Sequence, residues 1–285
     1  GLHMLRKSNK IYSAETLKME PIKYVERLNE KYRSLGFPAY EWTINTEAPL
    51  KPLEKALSAS CVSLLTTSGA SLKDVPGFDP DARNDLRLDA IPAIASEDDF
   101  DINDNYYDHS SVSQDINCQF PIQRLRELAG NGTIGRVAPR LWSGFMGRIY
   151  KRSAIIEKAK AFAEALAADD VDILIAVPAC PLDHQTAGLV ARTVEETGIV
   201  TVTVSTGRDL SVQVMAPRTV FVNFPMGNAF GRPGDADQQS AILKDALSLA
   251  ASGKTPGELV DLPYDWGSEI PVHYRETTRE FQLQK

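Results

Sequence analysis

The chain has 285 residues, with 31 Lys or Arg against 38 Asp or Glu and a formal net charge of −7. Basic residues do not cluster along the chain, which excludes a surface for nucleic acid phosphates. No apolar run is long enough to cross a bilayer and no hydrophobic signal segment is present, so we predict a soluble, cytoplasmic protein that does not bind membranes.

Apolar periodicity predicts a mixture of helices and strands in the first half of the chain. Gly1 to His3, ahead of Met4, look like the remnant of an expression tag and are set aside. In order, the predicted elements are a helix over 14–35, a short helix over 46–58, a buried strand over 61–67, a long acidic loop over 73–119, a helix over 120–128 and a strand over 134–142. A loop of that length is usually functional or disordered.

From residue 152, helices and strands alternate regularly. The predicted elements are a helix over 152–168, a strand over 171–177, a helix over 183–197, strands over 199–204 and 219–223, and a helix over 237–252. This alternation is typical of a parallel sheet with right-handed crossovers, so the predicted fold class is α/β.

We divide the chain into four parts. They are an N-terminal helical extension (1–58), a first α/β lobe with the acidic loop (59–150), a second α/β lobe (151–253) and a C-terminal tail (254–285) that lies over the surface or reaches a partner subunit. The strand ends near Ser68 and Cys180 are expected to face one another across a cleft between the lobes, lined by residues 98–119.

Cys180 is the leading catalytic candidate. It follows a continuous apolar strand and precedes Pro181 and Asp183, which favour the first turn of a helix. First-turn N–H groups and the helix dipole stabilise an anion, and the thiolate is the nucleophilic form of cysteine. Ligands also bind at this end of the strands in open α/β sheets. The alternative is an inert buried thiol.

A second strand end, at Thr67, Ser68 and Gly69, offers hydroxyl and backbone N–H groups that suit a substrate carboxylate. The alternative is an ordinary turn. Arg208 and Arg124 are further carboxylate-binding candidates because a guanidinium binds such groups through two hydrogen bonds. Arginine is more often solvated or structural.

Proton transfer requires titratable groups near Cys180. Asp183 is a candidate general acid or amine-binding group, although its charge opposes a low thiol pKa. His184, in the same first turn, and His109, in the acidic loop beside Asp108, are candidate acids or bases. The alternatives are a helix-start carboxylate and two histidines with no catalytic role.

The other two cysteines, Cys61 and Cys118, are predicted to be core residues. The three thiols lack the spacing of a Cys-x-x-Cys pair and are expected to be reduced. The sequence predicts no metal site, because its four histidines and three cysteines show no ligand spacing. It also predicts no nicotinamide or flavin site, since no glycine-rich loop joins a strand to a helix.

Several motifs resemble one known family. They are LTTSGA at 65–70, YDH at 107–109, DIN at 115–117, FPIQRL at 120–125, PACP at 178–181, HQTAGLVAR at 184–192, RD at 208–209 and FPMG at 224–227. In this order they resemble the selenoprotein B family of glycine, sarcosine, betaine and D-proline reductases, over about residues 60 to 252.

The resemblance implies a site and a chemistry. Cys180 stands where family members carry selenocysteine, and Asp183 stands where they carry a cysteine. Members work in multi-subunit complexes, in which a partner's pyruvoyl group activates the substrate amine for attack by the selenol. We further predict that Asp108, Asp115 and Asn117, within matching segments, contact the substrate. Without a second nearby thiol, an external thiol or a thioredoxin-like reductant would resolve a Cys180 adduct.

The main hypothesis is therefore an oxidoreductase in which Cys180 attacks a small amino-acid-like substrate and a carbon–nitrogen or carbon–sulfur bond is cleaved reductively. One alternative is a non-redox binding or scaffold subunit of a reductase-type complex. Another is a cysteine-dependent lyase or racemase-like enzyme without net reduction; a two-thiol racemase is disfavoured because the first strand end carries serine and threonine. Whether the chain forms a homo-oligomer or binds a partner subunit stays open.

Overall fold

The computed structural model describes residues 19–271. The strands are β1 (Cys61–Thr66), β2 (Ala70–Leu72), β3 (Leu88–Pro92), β4 (Phe100–Ile102), β5 (Arg136–Val137), β6 (Arg140–Gly144), β7 (Ile173–Val177), β8 (Val200–Ser205), β9 (Arg218–Phe221) and β10 (Glu258–Asp261). The α-helices are α1 (Tyr24–Ser34), α2 (Ser110–Gln114), α3 (Ile122–Gly130), α4 (Arg152–Ala168), α5 (Pro181–Glu196), α6 (Arg208–Val214) and α7 (Ala236–Ser252).

One sheet of eight strands forms the centre of the protein. Its order is β10-β9-β8-β7-β1-β6-β3, and the short β5 pairs with the first residues of β1. β3 runs antiparallel to β6, whereas all other neighbours in this sheet are parallel. The predicted α/β fold is confirmed. β2 and β4 form a separate antiparallel pair.

The sheet has a topological switch point between β1 and β7. After β1 the chain forms β3 and then β6 on one side, and then crosses to β7 on the other side before it continues to β8 and β9. Connections that leave in opposite directions open a crevice at the carboxyl ends of the central strands, which is where ligands bind in such sheets. The two strands end level with each other, because Thr66 lies opposite Val177.

Helices cover both faces of the sheet. α4 and α5 pack on the face that carries Leu65 and Leu174, and α3 and α7 pack on the face that carries Leu64 and Ile175. Every residue of β1 and β7 is buried. Burial on both faces explains why these parallel strands are continuous apolar runs instead of alternating ones.

The segment between α1 and β1 differs from the prediction. The short helix predicted over 46–58 is wrong, because this segment is extended apart from one 3-10 turn at Leu57–Ala59. Pro49 and Pro52 explain the difference, since proline lacks an N–H donor and disfavours a helical backbone in the preceding residue. The segment instead lies along α5 and α6, to which its backbone is hydrogen-bonded.

From residue 152, every predicted element is found to within two residues at each end. After residue 152 the prediction missed α6 and β10. Before it, the single loop predicted over 73–119 is wrong, because this segment contains β3, β4 and α2. The tail beyond Gly253 was expected to lie over the surface or to reach a partner; as far as residue 271 it belongs to the fold, because β10 extends the sheet and the Trp266 ring packs 5.2 Å from that of Phe224. α1 confirms the helical extension only from Tyr24, and residues 1–18 lie outside the described part.

The predicted division into lobes places β1 in the first lobe and β7 in the second. These strands are direct neighbours in the middle of one sheet. Ser68 and Cys180 therefore follow the carboxyl ends of two adjacent strands. The two lobes and the cleft between them are therefore not confirmed. Within residues 19–271, no helix has both the length and the apolar character needed to span a bilayer.

Candidate active site

Cys180 lies at the start of α5, three residues after β7 ends. Its backbone is extended (φ −95°, ψ 169°), as expected for a helix N-cap. The Cys180 thiol accepts the N–H of Asp183, and the Asp183 carboxylate accepts the N–H of Cys180 at 3.2 Å. This reciprocal pair is a capping box, so the local backbone itself holds the thiol against the carboxylate. Only 1% of the Cys180 surface is exposed.

Asp183 joins the ends of three strands. Its Oδ2 accepts the hydroxyl of Thr67, after β1, at 2.7 Å, and its Oδ1 accepts the N–H of Gly147, after β6, at 3.0 Å. The Thr67 hydroxyl oxygen accepts the N–H of Ala179, after β7, at 3.0 Å. The Cys180 thiol is hydrogen-bonded to the same carboxylate. Asp183 is therefore the centre of the polar network that positions Cys180.

Burial controls the protonation of this pair. It raises the pKa of Asp183 to about 7, although hydrogen bonds from Thr67, Cys180 and Gly147 lower it. Burial also raises the pKa of the Cys180 thiol well above its ordinary value, and the charges of Asp183 and Asp104 raise it further. The resting thiol is therefore protonated at neutral pH. The expectation that the helix start stabilises a thiolate is wrong for this state, because desolvation and two carboxylates outweigh the first-turn N–H groups.

His184 is buried with both ring nitrogens hydrogen-bonded. Nδ1 lies 2.8 Å from the carbonyl oxygen of Cys180, and Nε2 accepts the N–H of Thr206 at 3.2 Å. Because Nε2 accepts, the proton is on Nδ1. Burial lowers the pKa of His184 to about 4, so the ring is neutral. His184 connects the ends of β7 and β8 and has no ring nitrogen left for a substrate.

Ser68 and Gly69 lie beside this network, after β1. The Ser68 carbonyl accepts the hydroxyl of Tyr107 at 2.6 Å, and the Ser68 hydroxyl accepts that of Thr66 at 2.8 Å. Gly69 has a positive φ of 77°, and a Cβ there would lie 2.3 Å from the carbonyl oxygen of Asn103. Only glycine therefore allows the chain to turn here and keep Ser68 at the strand end.

His109 packs against Tyr107, the residue that donates to the Ser68 carbonyl. Its ring packs edge-on against the Tyr107 ring at 6.1 Å, and its Nδ1 is 3.1 Å from the Ser113 hydroxyl. Asp108 is exposed and accepts the N–H of Ser110 at 3.0 Å. Tyr107 thus lies between His109 and Ser68.

Asp115 and Asn117 hold a different part of the fold together. Asp115 accepts the N–H of Asn117 at 3.0 Å with Oδ1, and the N–H of Gly234 and the amide of Gln239 at 2.8 Å each with Oδ2. Burial alone would raise the pKa of Asp115, but these hydrogen bonds lower it. Asp115 connects the acidic loop to the start of α7, and Asn117 connects it to α3 by accepting the N–H of Gln123. No hydrogen bond links either residue to Cys180 or Asp183 in the described chain.

The two predicted arginines are already paired. Arg208 forms an exposed ion pair with Asp261 at 2.8 Å, and Arg124 lies 3.4 Å from Glu127 on the same helix. The prediction missed several residues that shape the site: Tyr107, Gly147, Asp104 and Gln119, whose side chain bridges the carbonyl of Pro178 and the N–H of Ala229. Across the described residues, no three His, Cys, Asp or Glu side chains gather as a metal site would require.

Asp183 and His184 predict opposite effects of pH on stability. Between about pH 4 and 6.5, Asp183 is protonated in the folded protein and ionised in the unfolded chain. Its contribution to the free energy of unfolding therefore falls as pH rises. Folded His184 lacks a proton that the unfolded chain binds, so its contribution rises with pH. In the wild-type protein the two effects largely cancel over this range.

Substitution should reveal each effect. Relative to wild type, the free energy of unfolding of Asp183→Asn should gain a positive slope of about 1.4 kcal/mol per pH unit, and that of His184→Gln a negative slope of similar size. Urea denaturation at pH values between 4 and 6.5 measures both. Parallel profiles for all three proteins would contradict the assigned protonation states.

The chain is similar in sequence to two reductase subunits. It is 31% identical over 220 residues to the D-proline reductase subunit gamma of Acetoanaerobium sticklandii, a match that covers 77% of this chain and 90% of that protein. It is 25% identical over 231 residues to the glycine reductase complex component B subunit gamma of Carboxydothermus hydrogenoformans, with 78% of this chain and 50% of that protein covered.

The family of the chain follows from these two relatives alone. No family model matches the chain, and no solved structure matches it. The similarity to the D-proline reductase subunit spans most of both proteins, and the second relative is a subunit of a related reductase. The chain therefore belongs to the selenoprotein B family of D-proline and glycine reductase subunits.

Proposed function

We propose that this reductase-family protein cleaves a carbon–nitrogen bond of a small amino acid, with Cys180 as the nucleophile and Asp183 as its base. The observation that carries the proposal is the buried hydrogen-bonded pair of the Cys180 thiol and the Asp183 carboxylate at the carboxyl ends of β1 and β7. A carboxylate with a pKa near neutrality can both accept the thiol proton and return it to a leaving group.

The first step forms a carbon–sulfur bond and breaks a carbon–nitrogen bond. Asp183 takes the proton from Cys180 while the sulfur attacks the carbon next to the amine. The amine leaves with the bonding electron pair and takes the proton from Asp183. The product of this step is a thioether on Cys180. The amine is released from an open-chain substrate, or stays on the opened chain of a cyclic one such as D-proline, and no net oxidation has occurred.

The second step requires an external thiol. That thiol attacks the Cys180 sulfur, the carbon leaves as a C–H group with the proton of the thiol, and a mixed disulfide remains on Cys180. A second external thiol then restores the Cys180 thiol and releases a disulfide. The substrate is reduced by two electrons and two thiols are oxidised, so electrons balance.

The other cysteines are poorly placed for this second step. Cys61 is at the amino end of β1, about 17 Å along the strand from the carboxyl end at which Cys180 lies. Burial raises the pKa of Cys61 to about 11 and that of Cys118 further. A dithiol reductant or a thioredoxin-like protein is therefore the proposed electron donor.

The names of both relatives describe subunits of larger reductases. This supports a partner subunit for the present chain as well. A binding or scaffold subunit without redox chemistry is the second candidate function, and it is favoured by one observation: Asp183 occupies the position at which the resemblance implies a second redox-active residue.

The test is turnover of D-proline, glycine and related amino acids by the protein together with any subunits that it binds, with dithiothreitol as the reductant. Cys180→Ser should abolish release of the reduced product, whereas the equally buried Cys118→Ser should retain it. Full activity of Cys180→Ser would show that the proposed mechanism is wrong. Binding of substrate that is unchanged in Cys180→Ala, without turnover by wild type, would favour the scaffold function.

A further inference from the structure

Arg148 is a buried charge that the proposed mechanism does not yet use. It follows Gly147 in the segment after β6, and it is 1% exposed, which makes it one of the two largest fully buried side chains in the described chain. Arginine is rarely this buried without an anionic partner, because removing a guanidinium from water costs several kcal/mol.

The contacts of Arg148 leave much of its hydrogen-bonding capacity unused. Nη2 donates to the carbonyl of Asp81 at 2.8 Å, and the guanidinium lies 5.6 Å from the centre of the Tyr106 ring. Nε and Nη1 have no hydrogen-bond partner among residues 19–271. Nη2 carries two N–H groups, and only one of them is used. The other is parallel to an N–H of either Nε or Nη1, so one edge of the guanidinium keeps two parallel donors. That edge matches a carboxylate.

Arg148 borders the Cys180 site through the backbone and through Tyr106. The N–H of Gly147, its neighbour, donates to Asp183 at 3.0 Å. Tyr106, against which Arg148 packs, precedes Tyr107, whose hydroxyl binds Ser68 at the end of β1. The ends of β6, β1 and β7 are consecutive along the sheet, so the ends of β6 and β7 are about two strand spacings, roughly 10 Å, apart.

We propose that Arg148 binds the carboxylate of the substrate and so holds the carbon next to the amine against Cys180. This inference rests on the proposed function, and it limits the substrates to compounds with a free carboxylate beside that carbon. Unlike Arg208 and Arg124, Arg148 forms no ion pair within the described chain. Its charge is therefore available for a ligand.

The first experiment compares alkylation of Cys180 by iodoacetate and iodoacetamide, measured by peptide mass spectrometry. The two reagents differ in the carboxylate, so the ratio of their rates cancels the thiol pKa. Relative to wild type, Arg148→Met should lower the iodoacetate-to-iodoacetamide ratio by about tenfold or more. Arg148→Lys should keep only part of the preference, and the control Arg208→Met should keep all of it. An equal ratio in wild type and Arg148→Met would overturn the proposal.

A second measurement does not need the thiol. In Cys180→Ser, sodium acetate should raise Tm more than acetamide does, and addition of Arg148→Met should remove this difference. If Arg148→Met does not fold, the acetate and acetamide comparison in Cys180→Ser and in its Arg148→Lys form still decides the matter. Equal shifts in Tm with acetate and with acetamide would overturn the role of Arg148 without affecting the proposed role of Cys180. Turnover that survives in Cys180→Ser, with the acetate effect intact, would overturn the proposed nucleophile and leave the carboxylate site standing.

Discussion

Asp183→Asn is expected to lower the pKa of the Cys180 thiol and, at the same time, to lower kcat/KM by about 10²- to 10⁴-fold at pH 7. The pKa falls because the substitution removes the nearest negative charge and a carboxylate that binds the protonated thiol. Activity falls because no group remains to accept the thiol proton and return it to the leaving amine. Thiolate ultraviolet absorbance and steady-state kinetics measure the two effects.

The opposite directions of these effects make the test specific. A residue with a purely structural role would not make the thiol more acidic while it slowed turnover. Asp235→Asn is the matched control, because Asp235 also accepts a first-turn N–H, that of Gln238 at 3.2 Å, but is exposed at the start of α7. It should leave both quantities unchanged. A thiol pKa that rises, or activity that survives in Asp183→Asn, would contradict the role of Asp183 as base.

Glu195→Gln is expected to destabilise the protein by about 3–5 kcal/mol, because it leaves the buried charge of Arg218 without its partner. Both side chains of this ion pair are fully buried, with Arg218 Nη1 2.8 Å from Glu195 Oε1. Glu195 also accepts the N–H groups of Thr201 and Lys51, so it connects α5 to β8 and to the extended segment before β1. Urea denaturation measures the change.

The exposed pair of Arg208 and Asp261 provides the matched control. Asp261→Asn breaks an ion pair of the same 2.8 Å length in which both side chains contact water, and its cost should be below about 1 kcal/mol. The combined variant Glu195→Gln with Arg218→Met should recover much of the stability lost in Glu195→Gln, since it removes the unpaired charge and keeps a side-chain oxygen that can accept a backbone N–H. Similar losses for Glu195→Gln and Asp261→Asn would show that burial does not govern the strength of this pair.

The sequence predicts the parallel part of the fold well because each signal is local. A continuous apolar run marks β7, and Pro181 and Asp183 mark the start of α5 within two residues. β10 was missed because an edge strand exposed to water lacks the apolar run of a central one. Sheet order depends on contacts distant in sequence, so the adjacency of β1 and β7 could not be read from the chain.

The candidate site is predictable in part for the same reason. Thr67 and Cys180 follow buried parallel strands, and the structure brings both to Asp183. The raised pKa values were not predictable, because they depend on burial. Arg148 was missed because one buried arginine cannot be distinguished by sequence from the exposed arginines around it.

The most direct measurement is the mass of the Cys180 peptide after incubation with an isotopically labelled amino acid substrate while the external thiol is withheld. Without the thiol the second step cannot proceed, so the thioether should accumulate. With glycine, we expect the Cys180 peptide to gain the mass of the substrate minus ammonia, with ammonia released in equal amount. With D-proline, whose amine stays on the opened chain, the peptide should gain the whole mass of the substrate. In both cases the Cys61 and Cys118 peptides should stay unmodified. A Cys180 peptide that stays unlabelled without thiol, in a protein that forms the reduced product once thiol is added, would contradict this mechanism.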